Sequence, residues 1–350
     1  MSEREVWIAS GGYELTGRRD GPPRHAPGRP ASAVQEALAA IARHAPGVRL
    51  PGPALLSRRA RLAGFSRNGP GSCGGSFRAL RTLDGWVGLS LPRPADLELL
   101  PALTGGEIAR PWPDVVKWAA STTSAEAQER IHLLGLAGGR IPAPGDAPDD
   151  RPAVVTTALG NRRSSGNPVT VVDLTSLWAG PLCAHLLGLT GARVIKVESP
   201  DRPDGARFGT PAFFDELHAG HEMLSLDLRS HTEALRELVA DADLVLEASR
   251  PRALAQLGID AQEVVAGGTS WLSITARGRA SNTIGFGDDV AACAGMVVRD
   301  EDAVLPVGDA LADPLTGVRA ALTALDALAS DQAQLIDVSM LHVVAETLHG

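Results

Sequence analysis

Two aspartates four residues apart, Asp309 and Asp313, precede a long Ala/Leu-rich run, and Pro314 follows the second directly. An Asp before a Pro is an ordinary helix start, with the carboxylate capping and the proline in the first turn. The same place suits a working anion, because a helix N-terminus lowers the cost of negative charge. Local sequence leaves both readings open for Asp313, while Gly308-Asp309 reads as a turn and gives Asp309 a structural role. Asp288 and Asp289 read as caps of the helix that follows them, with a role opposite Asp313 as the alternative. A second constellation runs from Val172-Asp173-Leu174 through Trp178-Ala179-Gly180-Pro181 to Arg193-Val194-Ile195-Lys196-Val197-Glu198. Strand, glycine turn, helix and an acid-ended second strand make the outline of a dinucleotide site. The phosphate-cradling G-x-G-x-x-G is absent, and Trp178 and Pro181 fill the turn where backbone must approach a pyrophosphate. A nicotinamide oxidoreductase is therefore disfavoured. His218-x-x-His221 has no third ligand nearby, and Cys73, Cys183 and Cys293 show no C-x-x-C spacing, so no metal site is expected.

The 350 residues, 44% of them hydrophobic, suffice for one large or two ordinary cores. No apolar run reaches membrane-spanning length, and Met1-Ser2-Glu3-Arg4 does not open a signal peptide, so a cytoplasmic protein with no membrane partner is expected. A net charge of −8 argues against nucleic-acid binding. A polyanion would need a local arginine cluster or helix N-termini.

These residues have to be positioned by elements. Residues 146–168 are turn-rich and polar and read as a linker between a smaller domain at 1–145, α/β or α+β, and a larger one at 169–350. In the larger part, strands at 170–174, 192–198, 244–247, 271–275 and 335–338 alternate with helices at 181–189, 231–240, 251–257, 289–297 and 314–329. Repeated β-α-β order with short connections predicts an α/β fold: a largely parallel, Rossmann-like sheet with helices on both faces. Upstream, 33–44, 92–103 and 124–136 have helical spacing and 86–91 is strand-like.

The string Asp173-Leu174-Thr175 with Trp178-Ala179-Gly180-Pro181, then Gly191-Ala192-Arg193-Val194-Ile195-Lys196-Val197-Glu198-Ser199-Pro200 and Arg202-Pro203-Asp204-Gly205-Ala206-Arg207, resembles the opening of the family III CoA-transferases. The likeness continues in order through Leu224-Ser225-Leu226-Asp227-Leu228 and Ala242-Asp243-Leu244-Val245-Leu246-Glu247. It ends at Gly308-Asp309-Ala310-Leu311-Ala312-Asp313-Pro314-Leu315-Thr316-Gly317 and Asp337-Val338-Ser339-Met340. Such a resemblance implies CoA transfer between an acyl-CoA and a carboxylic acid, with coenzyme A as substrate and no permanent cofactor. It implies Asp313 as the nucleophile, passing through an aspartyl anhydride and an aspartyl-CoA thioester. By position it implies CoA contacts at Trp178, Ala179, Lys196, Arg202 and Arg207, with Arg250 and Arg252 meeting phosphates, and a homodimer.

The sequence also departs from the family pattern. His221-Glu222 stands where a basic pair is usual, and Ala248 where an asparagine is common. Residues 284–289 lack the histidine of the α-methylacyl-CoA racemases, which disfavours racemisation. Ser10–Gly17 and Asp84–Leu91 resemble segments that ordinarily follow or closely precede the aspartate, so the segment order looks rearranged. Gly69–Gly75 is the candidate for the glycine-rich loop. A non-catalytic CoA-binding relative is the alternative function.

Overall fold

The computed structural model describes residues 1–146, 149–163, 166, 168–249 and 254–349. Its centre is a seven-stranded sheet in the order β4-β12-β9-β8-β5-β6-β7. These strands are β4 (Val154–Asn161), β5 (Thr170–Asp173), β6 (Arg193–Glu198), β7 (Glu222–Ser225), β8 (Leu244–Glu247), β9 (Ser270–Thr275) and β12 (Gln332–Ser339). All neighbours pair in parallel except β4, which lies antiparallel on β12. Alternate side chains enter opposite cores. Val171, Val194, Leu244, Leu246 and Leu272 join one; Val172, Ile195, Val245 and Trp271 join the other. The first core is covered by the Ala179–Leu189 and Ala312–Leu328 helices, the second by Thr232–Asp241 and Ala261–Ala266. This is the expected α/β fold, a mostly parallel sheet buried on both faces.

A small antiparallel sheet, β1 (Phe77–Arg81), β2 (Trp86–Ser90) and β3 (Ala137–Arg140), packs with the Pro111–Ala119 and Ser124–Leu133 helices around Leu80, Val87, Leu89 and Ile131. A hairpin of β10 (Val297–Asp300) and β11 (Ala303–Pro306) leads toward Asp313. Residues before β1 belong elsewhere: Val6, Trp7, Val34, Leu38, Ile41 and Leu56 share a core with Leu182, Leu315 and Val318. The opening of the chain thus packs against the helix that carries Asp313.

Several elements differ from expectation for simple reasons. The stretch expected as linker contains β4, a β-branched Val-Val-Thr-Thr run between polar segments that becomes a strand by pairing with β12. The helix expected over 92–103 is two, Pro94–Glu98 and Leu100–Thr104, because Pro101 lacks the N–H a continuous helix needs. The helix expected to reach 297 stops at Cys293, and β10 begins at Val297.

Candidate active site

The strand order reverses between β5 and β8, so the crevice at the carboxyl ends of these strands is where an α/β sheet of this type accepts a ligand. The chain leaves β5 through a strained turn with Leu177 at φ 71°. Asp204 holds that turn, its Oδ1 accepting from the Leu177 N–H at 2.9 Å. Trp178 then caps the Ala179–Leu189 helix and is 3% exposed, its ring edge-on to Phe213 at 5.2 Å.

Asp313 occupies the second position of the Ala312–Leu328 helix. The turn before it is also strained, with Ala310 at φ 44°, and the Asp313 N–H closes it on the Ala310 carbonyl at 2.9 Å. Leu311 occupies the cap position, so Asp313 is not the capping residue. Among the described residues none donates a hydrogen bond to its carboxylate, and the residue is partly exposed. Its Oδ2 lies against Gly287: a Cβ there would stand 2.3 Å from that oxygen and 2.2 Å from the Ala310 carbonyl. Only glycine lets the Gly287–Cys293 helix start this close.

Other acids crowd the same place. Asp288 accepts from the Ala310 N–H at 2.9 Å. Asp289 accepts from the Phe286 N–H at 2.9 Å and the Ser90 hydroxyl at 2.7 Å. Asp309 is fully buried and takes the Arg59 guanidinium at two points, Nε at 2.9 Å and Nη2, with the Cys73 thiol 3.3 Å away. Burial pushes the Asp313 carboxyl up to about 7; Arg59 opposes the rise, and Asp288, Asp289 and Asp309 add to it. Burial likewise raises Asp289 to about 7 and Asp288 to about 6. The easing expected from the helix N-terminus is outweighed by desolvation and like charge.

Of the residues implied as CoA contacts, Trp178 and Ala179 line the β5 turn, Trp178 meeting Arg59 at 5.2 Å from its ring centre. The Ala179 carbonyl packs against Gly317, joining the two helices. Arg202 and Arg207 are exposed on the loop after β6; Arg207 pairs with Glu198 at 2.9 Å and lies over the Phe214 ring. Lys196 is turned inward and 0% exposed, donating to the Thr175 carbonyl, with Asp204 at 3.3 Å and Asp173 at 3.7 Å. In this arrangement its ammonium faces protein oxygens. Arg250 and Arg252 lie outside the described residues. His218 and His221 meet each other, Nδ1 to Nδ1 at 3.4 Å, and among the described residues no group of three His, Cys, Asp or Glu side chains could hold a metal.

Sequence reasoning missed Arg59. It sits in a plain Arg58–Ala63 helix, 250 residues from the aspartate it grips, and carries no local motif. The Gly69–Gly75 segment, singled out by composition, does reach this place, with Cys73 on Asp309 and Gly74 close to the Arg59 guanidinium.

A mostly parallel α/β sheet whose strand order reverses between β5 and β8, with an uncapped carboxyl at a helix mouth, defines the class of protein. The family model for CoA-transferase family III matches residues 167–350, and the chain belongs to that family. It is 29% identical to a succinate–glutarate CoA-transferase of Agrobacterium fabrum, over 55% of this chain and 55% of that one. It is 31% identical to a succinyl-CoA–D-citramalate CoA-transferase of Chloroflexus aurantiacus, over 49% and 48%. A probable CoA-transferase of Mycobacterium tuberculosis is 34% identical over 46% of this chain and 22% of its own length. The chain thus spans about half or less of the curated relatives it matches. A CaiB/BaiF family protein from Brucella suis superposes with a TM-score of 0.48 at 26% identity, over 54% and 56% of the two chains. Among the described residues no helix is long and apolar enough to cross a membrane.

Proposed function

We propose that this protein transfers CoA from an acyl-CoA to a carboxylic acid, with Asp313 as the covalent nucleophile. One observation carries the reading: the Asp313 carboxyl stands at the mouth of a long helix, uncapped and partly exposed, with glycine backbone opposite. An Asp313 oxygen attacks the thioester carbonyl, the C–S bond breaks, and CoA leaves as thiolate. The thiolate attacks the aspartyl carbonyl of the anhydride, releasing the donor acid and leaving an aspartyl-CoA thioester. The acceptor carboxylate displaces the thiolate to form a second anhydride. Attack of the thiolate on the acceptor carbonyl then yields the new acyl-CoA and frees Asp313. By their position after β5 and β6, Trp178, Arg202 and Arg207 are proposed to meet the nucleotide and pantetheine, and the oligomer proposed is a homodimer.

The test is trapping. Hydroxylamine added during turnover of succinyl-CoA, a donor chosen from the relatives' names, should convert Asp313 to a hydroxamate found by peptide mass spectrometry. Asp313→Ala should lower transfer at least 1,000-fold, about 4 kcal/mol of barrier. Full activity in Asp313→Ala sinks the mechanism. Tight CoA retention by the unaltered chain without turnover of any acyl-CoA would make it a binding relative instead.

A further inference from the structure

The mechanism needs an ionised carboxylate in a place that gathers acids. Asp288 and Asp289 open one helix, Asp309 ends the loop before another, and Asp313 starts it. Asp309 and Asp289 are buried outright. Into this group reaches a guanidinium from far away in sequence. Arg59 fixes Nε and Nη2 on Asp309 and lies over the Trp178 ring at 5.2 Å and the Phe65 ring at 5.9 Å. Among the described residues Nη1 has no protein acceptor, and the side chain is 31% exposed. The Cys73 thiol and the Gly74 backbone close over the same pair.

Resting on the functional reading above, we infer that Arg59 is a positioning residue of the Asp313 site, a clamped positive charge that keeps Asp313 ionised among Asp288, Asp289 and Asp309. Two features fit this task better than a plain structural ion pair. The clamp is rigid, since a bidentate contact and two ring faces fix the guanidinium, and a fixed charge serves a reacting group better than a mobile one. The charge is also shared. Arg59 is drawn to Asp309, Asp288 and Asp313 together, and it is the largest influence holding the Asp313 carboxyl down against its burial. Attack on a thioester moves negative charge from Asp313 to the oxyanion and then to the departing thiolate without changing its sign. A cation in place before the reaction therefore remains useful throughout. The N-terminal segment is on this account part of the site, because it brings Arg59.

The experiment reads protonation directly and does not depend on turnover. Protein labelled with ¹³C at aspartate side-chain carboxyls is titrated by NMR, with the Asp313 signal assigned by its loss in Asp313→Asn. In Arg59→Met the Asp313 midpoint should rise by about one pH unit or more, as expected for losing an opposite charge at close range. Arg59→Lys, which keeps the charge, should recover at least half of that shift. Asp309→Asn, which removes one acid from the group, should move the midpoint down. A folded Arg59→Met whose Asp313 midpoint stays within a few tenths of the parent overturns the inference, even if its melting temperature falls. Should Arg59→Met not fold, an Asp309→Asn midpoint at or above the parent value overturns it instead. Activity retained by Asp313→Ala would defeat the proposed function while leaving the titration to decide the role of Arg59.

Discussion

A carboxyl at the second position of a helix ordinarily gains from the N-terminal dipole. Asp313 shows what happens when burial and three acids oppose that gain: its carboxyl is raised to about 7, so half of it is ionised near neutrality. If ionised Asp313 is the nucleophile, kcat/KM should climb about tenfold per pH unit below 7 and level off above, measured with succinyl-CoA across pH 5.5–8.5. A flat profile through that range would contradict the assignment. The same shift has a consequence for stability. Between about 3.8 and 7 the folded state holds a proton that the unfolded state has lost, so this group's contribution falls as pH rises. Asp313→Asn carries no such cost. It should be more stable than the parent at pH 8, on the order of 2 to 4 kcal/mol, with the difference vanishing toward pH 4. Thermal melts at the two pH values decide it. Asp313 stood out as a candidate from the ordered motif around it, but its environment did not. Two of the three acids that press on it start a different helix, and the arginine that relieves them comes from the other end of the chain.

At the scale of elements, the Asp313 site depends on how closely two helices cross. Gly317 lies where a Cβ would come 2.7 Å from the Ala179 carbonyl and 3.0 Å from Leu182 side-chain carbons. A backbone oxygen cannot rotate away, so Gly317→Ala has to push the Ala312–Leu328 helix off its neighbour. We expect a loss of about 1 to 3 kcal/mol in urea unfolding, despite the better helix propensity of alanine. A variant as stable as the parent would show that the crossing is softer than the distances imply. The central strands were readable because they are buried on both faces and read as short continuous apolar runs, as Leu244-Val245-Leu246 does. β4 was not, because an edge strand lacks that signature: most of its residues are exposed, and it owes its conformation to β12. Of the helices before β1 the one expected over 33–44 was visible as a helix, but nothing in its apolar spacing says which core it enters. Val34, Leu38 and Ile41 would suit any apolar face, and the one they cover belongs to the Asp313 helix.

Across the whole molecule a second buried set of ionisable groups balances the first. Lys196, Asp173 and Asp204 form an enclosed ion cluster beneath the β5 turn, and His218 and His221 lie beside it. Burial pushes both imidazoles down to about 4, with the Lys196 charge adding to the effect. Here the sign is reversed. Between about 4 and 6.5 the unfolded histidines bind protons that the folded ones refuse, so stability is lost as pH falls through that window. The acids around Asp313 lose stability as pH rises through nearly the same range. The two clusters therefore compensate, and the parent protein should show a shallow dependence of melting temperature on pH from 4.5 to 7. Replacing His218 and His221 with glutamine removes one arm, so the double variant should become steadily more stable, relative to its own value at pH 7, as the pH is lowered to 5. Asp313→Asn removes part of the other arm, and its melting temperature should drop more steeply on acidification than the parent's. If both variants track the parent curve, the buried groups titrate as they do in the unfolded chain, and the pH behaviour argued for Asp313 loses its basis as well.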